Sequence, residues 1–225
     1  MKIARVTTLA LALGLASTQA HALVDVSAFG GYAMTAMGDV NQSLDNFAKT
    51  GAGGKSVDMT NGFYVGADAG FTVMPFLKVG PRLKYIQDGQ GKVTFTNPAN
   101  DATIDANLMM YEVGVSANVD LPLTGLSLQG GLWGGYGMAN ASVTGGGGGG
   151  GTQTGTGSAF VGELAAQARY KLVAGLSIGV DLGYAMADVA TVNGSNGKPF
   201  LSNGSKADAF DFSGLNAGGA VSWDF

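Results

Sequence analysis

The 225 residues contain no cysteine and a single histidine, His21, and 12 basic side chains stand against 16 acidic ones for a net charge of −4. Disulfide frameworks and metal–thiolate sites are thereby excluded, and the acidic balance argues against nucleic-acid binding. Hydropathy is positive overall, yet beyond residue 22 no apolar run approaches the roughly 18 residues of a transmembrane helix.

The chain opens as a secretory signal. Lys2 and Arg5 precede an apolar run from Val6 to Ala16, and Ser17 to Ala22 follow, with alanine at both A-x-A positions, Ala20 and Ala22. That run is well short of the roughly 20 residues that span a bilayer. Cleavage after Ala22 takes 22 of the 225 residues and leaves 203, beginning at Leu23. His21 leaves with the signal, so no imidazole remains for a triad, a proton relay or a metal site. Lys2 and Arg5 leave too, so 10 basic residues face 16 acidic ones, a net charge of −6. Residues 23–225 read as one all-β domain, with no catalytic, cofactor-binding or metal site expected.

Period-2 alternation marks eight segments of about the 9–11 tilted residues that cross a bilayer: 23–34, 62–73, 77–88, 107–121, 126–138, 160–172, 176–187 and 212–225. In the second, Phe63, Val65, Ala67, Ala69, Phe71 and Val73 oppose Tyr64, Gly66, Asp68, Gly70 and Thr72. The third sets Leu77, Val79, Leu83 and Tyr85 against Lys78, Gly80, Arg82 and Lys84, and the fourth sets Tyr111, Val113 and Val115 against Glu112 and Ser116. The sixth has helix propensity in Glu163–Arg169. As a strand it faces Phe160, Leu164, Ala166, Ala168 and Tyr170 one way and Glu163, Gln167, Arg169 and Lys171 the other. Pro81 removes a ladder hydrogen bond, which predicts a bulge beside it.

Connections alternate. Met74–Phe76, Pro122–Gly125 and Val173–Gly175 are tight turns, whereas Thr35–Asn61, Gly89–Ala106, Ala139–Ala159 and Asp188–Asp211 are long. Short turns on one side and long loops on the other are the asymmetry of outer-membrane barrels. The apolar faces fit lipid contact, with Phe71, Phe76, Tyr170, Trp223 and Phe225 near the turns and Tyr32, Phe63, Tyr85, Tyr111, Tyr136, Phe160 and Tyr184 near the loops. The last segment alternates through Leu215, Ala217, Gly219, Val221 and Trp223 to a terminal Phe225. In this the chain resembles the eight-stranded outer-membrane barrels of the OmpA-transmembrane-domain, OmpX and OmpW kind. The resemblance implies an eight-stranded antiparallel up-and-down transmembrane β-barrel, lipid and lipopolysaccharide as its surroundings, and Trp223 and Phe225 as a signal to the barrel-assembly machinery. No peptidoglycan-binding domain is expected after Phe225, unlike full-length OmpA-type proteins.

Eight strands enclose an interior that side chains can fill. A lumen charge network is expected from Asp68, Arg82, Lys84, Glu112, Glu163, Arg169 and Asp181, with Asp68 and Arg82 as cross-strand neighbours around the 74–76 turn. The OmpA resemblance implies a sharper alternative, in which Arg82 exchanges between Asp68, Glu112 and Glu163 as a gate. The OmpW resemblance allows a carrier of small hydrophobic molecules. Gly145–Gly151, with Thr152–Gly157 behind it, reads as a flexible loop. It lacks the Lys-Ser/Thr of a phosphate-binding loop. The lead expectation is a non-enzymatic structural or surface-interaction barrel with a plugged lumen and long extracellular loops.

Overall fold

The computed structural model describes residues 24–122, 124–145, 151–173, 175–203 and 206–225. The expected signal, residues 1–22, lies outside them. Eight long strands form the wall: β1 (Val24–Met34), β2 (Asn61–Met74), β3 (Leu77–Gln87), β4 (Ala102–Asp120), β5 (Leu126–Gly145), β6 (Thr152–Val173), β7 (Leu176–Met186) and β8 (Gly214–Asp224). Each pairs antiparallel with its neighbour, and β8 pairs back to β1 from Asp25↔Asp224 to Ala33↔Asn216, closing the ring. Closure leaves no wall strand with an open edge, the condition for β structure in lipid. At this seam the strands approach closely. A β-carbon at Gly31 would stand 2.2 Å from the Ala217 carbonyl oxygen, and one at Gly218 would stand 2.1 Å from that of Gly30.

The wall departs from the sequence reading in length and in the loops. β4, β5 and β6 run to 19, 20 and 22 residues, about twice a bilayer crossing. The spans 102–106, 139–145 and 152–159, expected as loop, are strand, and the Thr152–Gly157 segment expected to be flexible pairs with β5 residue by residue. Residues 146–150 of the glycine run lie outside the described residues. The sixth segment is a strand throughout, because Glu163, Gln167 and Arg169 on one face meet a polar interior and Leu164 and Ala166 on the other meet the exterior. Pro81 carries no bulge. It stays in register with Val113 of β4. Towards β2 the ladder lapses at Ala69 and Gly70 without a register change, and the bulge falls between Thr72 and Met74 at the turn. The missing N–H is absorbed by omitting pairs rather than by inserting a residue.

The loop expected over 35–61 contains an α-helix, α1 (Gly38–Lys49). Val40, Leu44 and Ala48, four residues apart, make one buried stripe, while Asp39 in the first turn and Lys49 in the last complement the helix dipole. Met37 enters the helix in a left-handed conformation (φ 35°) and is fully buried. The short strands Lys55–Val57 and Gly91–Thr94 extend the sheet beyond β4, and Val192–Gly194 pairs with β6. α1 and these pieces sit over the long-loop end around an apolar core that includes Met59, Val93, Ile104, Phe210 and Phe212.

Candidate functional site

The candidate site is the barrel interior, built in layers from the turn end upward. Strand alternation aims Asp25, Ser27 and Phe29 of β1, Asp68 and Tyr64 of β2, and Lys78, Arg82 and Lys84 of β3 inward, and all are buried. At the turn end Lys171 Nζ lies 3.0 Å from Asp120, a half-exposed pair. Above it Asp25 is shared by Lys78 Nζ at 3.2 Å and Arg169 Nη1 at 2.5 Å. Arg169 also donates to Ser27 Oγ (2.8 Å) and to Gln167 Oε1 (2.8 Å). Gln167 in turn donates to Asp181, which accepts a second hydrogen bond from Tyr64 Oη, both at 2.8 Å.

The middle layer centres on Arg82. Asp68 and Arg82 are register partners, and Nη2 donates to Asp68 Oδ2 at 3.0 Å. Nη1 lies 3.2 Å from Glu163 Oε1, an ion-pair contact outside hydrogen-bonding geometry, and Lys84 Nζ donates to that same oxygen at 2.9 Å. The guanidinium is stacked between two rings, 3.9 Å from the Trp133 centroid and 4.4 Å from that of Phe29. Buried carboxylates and cations so arranged offset each other's desolvation, and the aromatic faces add a cation–π contribution of about 1–2 kcal/mol each where desolvated. Glu112 is the exception. It is the register partner of Arg82 on β4, is 3% exposed, and has both carboxylate oxygens buried without a hydrogen bond among the described residues.

All seven side chains expected in the network, Asp68, Arg82, Lys84, Glu112, Glu163, Arg169 and Asp181, lie inside the barrel. Six make polar contacts there and Glu112 stands apart. The sequence reading did not single out the aromatic partners Phe29 and Trp133 or the donor Tyr64. Their signal was parity: Phe29 shares the face of Asp25, Trp133 that of Gln129, and Tyr64 that of Asp68.

Directly above this layer the interior turns apolar. Ile86, Leu108, Met110 and Val161 point inward from the wall, and Met37, Val40 and Leu44 close over them from the loop that carries α1. Polar ties fasten this cap. Asn41 donates to and accepts from the Met59 backbone, Ser43 bonds Asp208, and Thr35 donates to Asp88 Oδ1 at 2.7 Å. Asp88 also accepts from the Gly89 N–H, while its Oδ2 is buried without a hydrogen bond among the described residues, and burial raises its carboxyl pKa above the ordinary range.

The expected aromatic residues face outward in two bands. Trp223, Phe225, Phe71, Phe76 and Tyr170 mark the turn end, and Tyr111, Tyr136 and Phe160 stand side by side across β4–β6 at the other. Between them Val113, Leu132, Leu164 and Val180 are exposed. A charged interior inside an apolar, aromatic-banded exterior is solvated correctly only by lipid.

No protein-family model matches the chain, and no curated protein matches it in sequence. In three dimensions it is similar to a major outer membrane protein from Thermus thermophilus, with a TM-score of 0.51 and 12% identity over 90% of this chain and 99% of that one. It is also similar to the outer membrane protein OprG from Pseudomonas aeruginosa (TM-score 0.49, 13% identity, 91% and 97% covered). A third likeness is Neisserial surface protein A (TM-score 0.47, 15% identity, 92% and 100% covered). The first likeness speaks for the fold. The ring and its lipid-facing exterior speak for the location, and the chain is an integral outer-membrane β-barrel.

Proposed function

We propose that this barrel does not conduct and that its working surface is the extracellular cap, held above the membrane as a rigid platform for contact with other molecules. One observation supports the reading: two successive layers of buried side chains occupy the interior. Arg82 fills the middle, held by Asp68, Glu163, Phe29 and Trp133, and Ile86, Leu108 and Met110 with Val40 and Leu44 fill the space above it. A hydrated solute would have to displace both a paired charge cluster and a packed core. The cap offers a contact surface in return, including a cleft of about 560 Å³ beside Phe47 and Phe95, with Thr96, Asn97 and Asn100 on its rim. The chain has no catalytic role in this reading, and its partners in the membrane are outer-leaflet lipopolysaccharide and, during insertion, the assembly machinery engaged through Trp223 and Phe225.

Single-channel recording of the refolded protein in a planar bilayer tests this, after heat-dependent gel mobility has verified the barrel. Silence is expected for the native protein and for Arg82→Ala. Glu112 favours a second reading. A buried carboxylate next to Arg82 with no hydrogen bond among the described residues is an alternative partner, so Arg82 would swing from Asp68 and Glu163 to Glu112 and open a narrow path. Discrete openings that Glu112→Gln abolishes would replace the first reading by this one.

A further inference from the structure

Above the Tyr111–Tyr136–Phe160 row the outward faces of β4, β5 and β6 continue as a regular grid. Register places Asn107, Asn140 and Thr156 in one row, Asp105, Ser142 and Thr154 in the next, and Thr103, Thr144 and Thr152 in the third. Neighbouring strands lie about 4.8 Å apart and rows about 6.7 Å apart along the strand, so the nine side chains tile a nearly flat face. At a strand tilt of about 40° the rows stand roughly 10–20 Å above the aromatic band. The face looks sideways, away from the barrel axis, and not up into the medium.

Its chemistry is narrow. Eight of the nine groups are hydroxyls or amides, and the ninth, Asp105, is engaged by Gln90. Asn140 donates to Asn107 and Thr144 bonds Thr152, so some side chains are held in fixed directions. The hydroxyls of Ser142, Thr154 and Thr156 have no hydrogen bond among the described residues and point outward. No lysine or arginine is among the nine; Lys92, the register partner of Thr103 on the Gly91–Thr94 strand, stands exposed beside one corner, so phosphate contact is confined to that edge. A flat array without a pocket suits repeated shallow contacts with a layer of molecules rather than one enclosed ligand.

Resting on the outer-membrane reading above, we infer that this grid seats the uncharged sugar residues of the glycolipid headgroups packed around the barrel. Three observations select that occupant. The grid is continuous with the lipid-facing wall below it, it begins just beyond the headgroup level that the aromatic band marks, where headgroup sugars extend outward, and its groups are those that exchange hydrogen bonds with sugar hydroxyls.

The natural chain has no cysteine, so Thr154→Cys accepts a single reporter dye, with Asn97→Cys at the loop tip as control. Each labelled full-length chain is refolded into vesicles of phospholipid alone, of lipid A without core sugars, and of lipopolysaccharide with its complete core. Iodide quenching of the Thr154→Cys dye is expected to fall at least threefold only with the complete core, and quenching of the Asn97→Cys dye to stay within a factor of two. The triple variant Ser142→Val, Thr154→Val, Thr156→Val should lose at least half of the slowing of unfolding that core sugars give the native chain. Valine keeps strand propensity and shape, and if that variant fails to fold, the quenching result stands by itself. Equal protection by lipid A and by the complete core would overturn the inference in favour of phosphate or acyl contacts. Quenching unchanged in every vesicle would mark the grid as merely solvated, and a dimer cross-linked through Thr154→Cys would assign it to a second copy. Failure to insert into any bilayer would instead sink the outer-membrane reading on which the inference rests.

Discussion

Below the Tyr111–Tyr136–Phe160 row, β4–β6 send valine, leucine and alanine outward and Glu112, Ser116, Gln129, Glu163, Gln167 and Arg169 inward. Above it the same strands, with unbroken side-chain parity, send threonine, serine and asparagine outward and Ile104, Leu108, Ala139 and Ala141 inward. Nothing in the ladder changes at the boundary; the solvent outside it does. Lipid pushes polarity into the lumen, and water pulls it back out and leaves the interior to pack as an ordinary core. The lower half is thus held by charges paired in confinement and the upper half by apolar burial.

That contrast can be attacked from either side. Arg82→Ala should have the largest effect, leaving the Asp68 carboxylate buried and uncompensated and Glu163 with Lys84 alone, at a cost of about 3–5 kcal/mol, read as a lower urea midpoint for loss of the heat-shifted gel band. Val113→Arg puts a charge into the lipid-facing wall and should cost about 2–4 kcal/mol. Thr156→Arg, on the same outward parity above the band, should stay within about 0.5 kcal/mol. Equal costs for the two would erase the proposed boundary. Leu44→Ala should remove about 2 kcal/mol from the cap alone, so that hydrogen exchange quickens at the α1 amides while β1 and β8 keep their protection. The smallest effect belongs to Asp88. Its carboxyl is raised by burial, so its contribution is fully present below the ordinary aspartate range and is lost as pH rises through the raised value. The cap should therefore loosen as pH rises above the ordinary aspartate range, and Asp88→Asn, which keeps an oxygen for Thr35 and Gly89, should flatten that dependence in urea titrations across pH.

The lower half was legible because lipid imposes one rule on every strand. Apolar alternation outward located all eight segments, and hairpin symmetry about the 74–76 turn brought Asp68 opposite Arg82. The upper half was not, because its alternation is inverted and much of its apolar side is small, with Ala102, Ala106, Ala139, Ala141 and Gly157 between the larger Ile104 and Leu108, so that it reads as loop. α1 escaped for a related reason: only Val40, Leu44 and Ala48 carry its stripe, and its stability comes from the core it covers rather than from propensity. The aromatic clamp on Arg82 lay beyond strand parity, since parity tells which side chains enter the lumen but not at what height they meet.

Joining β8 to β1 gives the molecule a history as well as a shape. Asp25 and Asp224 belong to the first and last strands of the wall, so their ladder spans the greatest sequence separation in the ring and is costliest to form before the intervening hairpins have brought its two sides together. Bringing such distant segments together costs conformational entropy that no earlier contact has recovered. Until then the growing sheet is an open ribbon with two bare edges, a template for aggregation in water and intolerable in hydrocarbon. Gly31 and Gly218, slim enough for the two backbones to slide together, keep side-chain bulk out of the middle of the ladder that closes the ring.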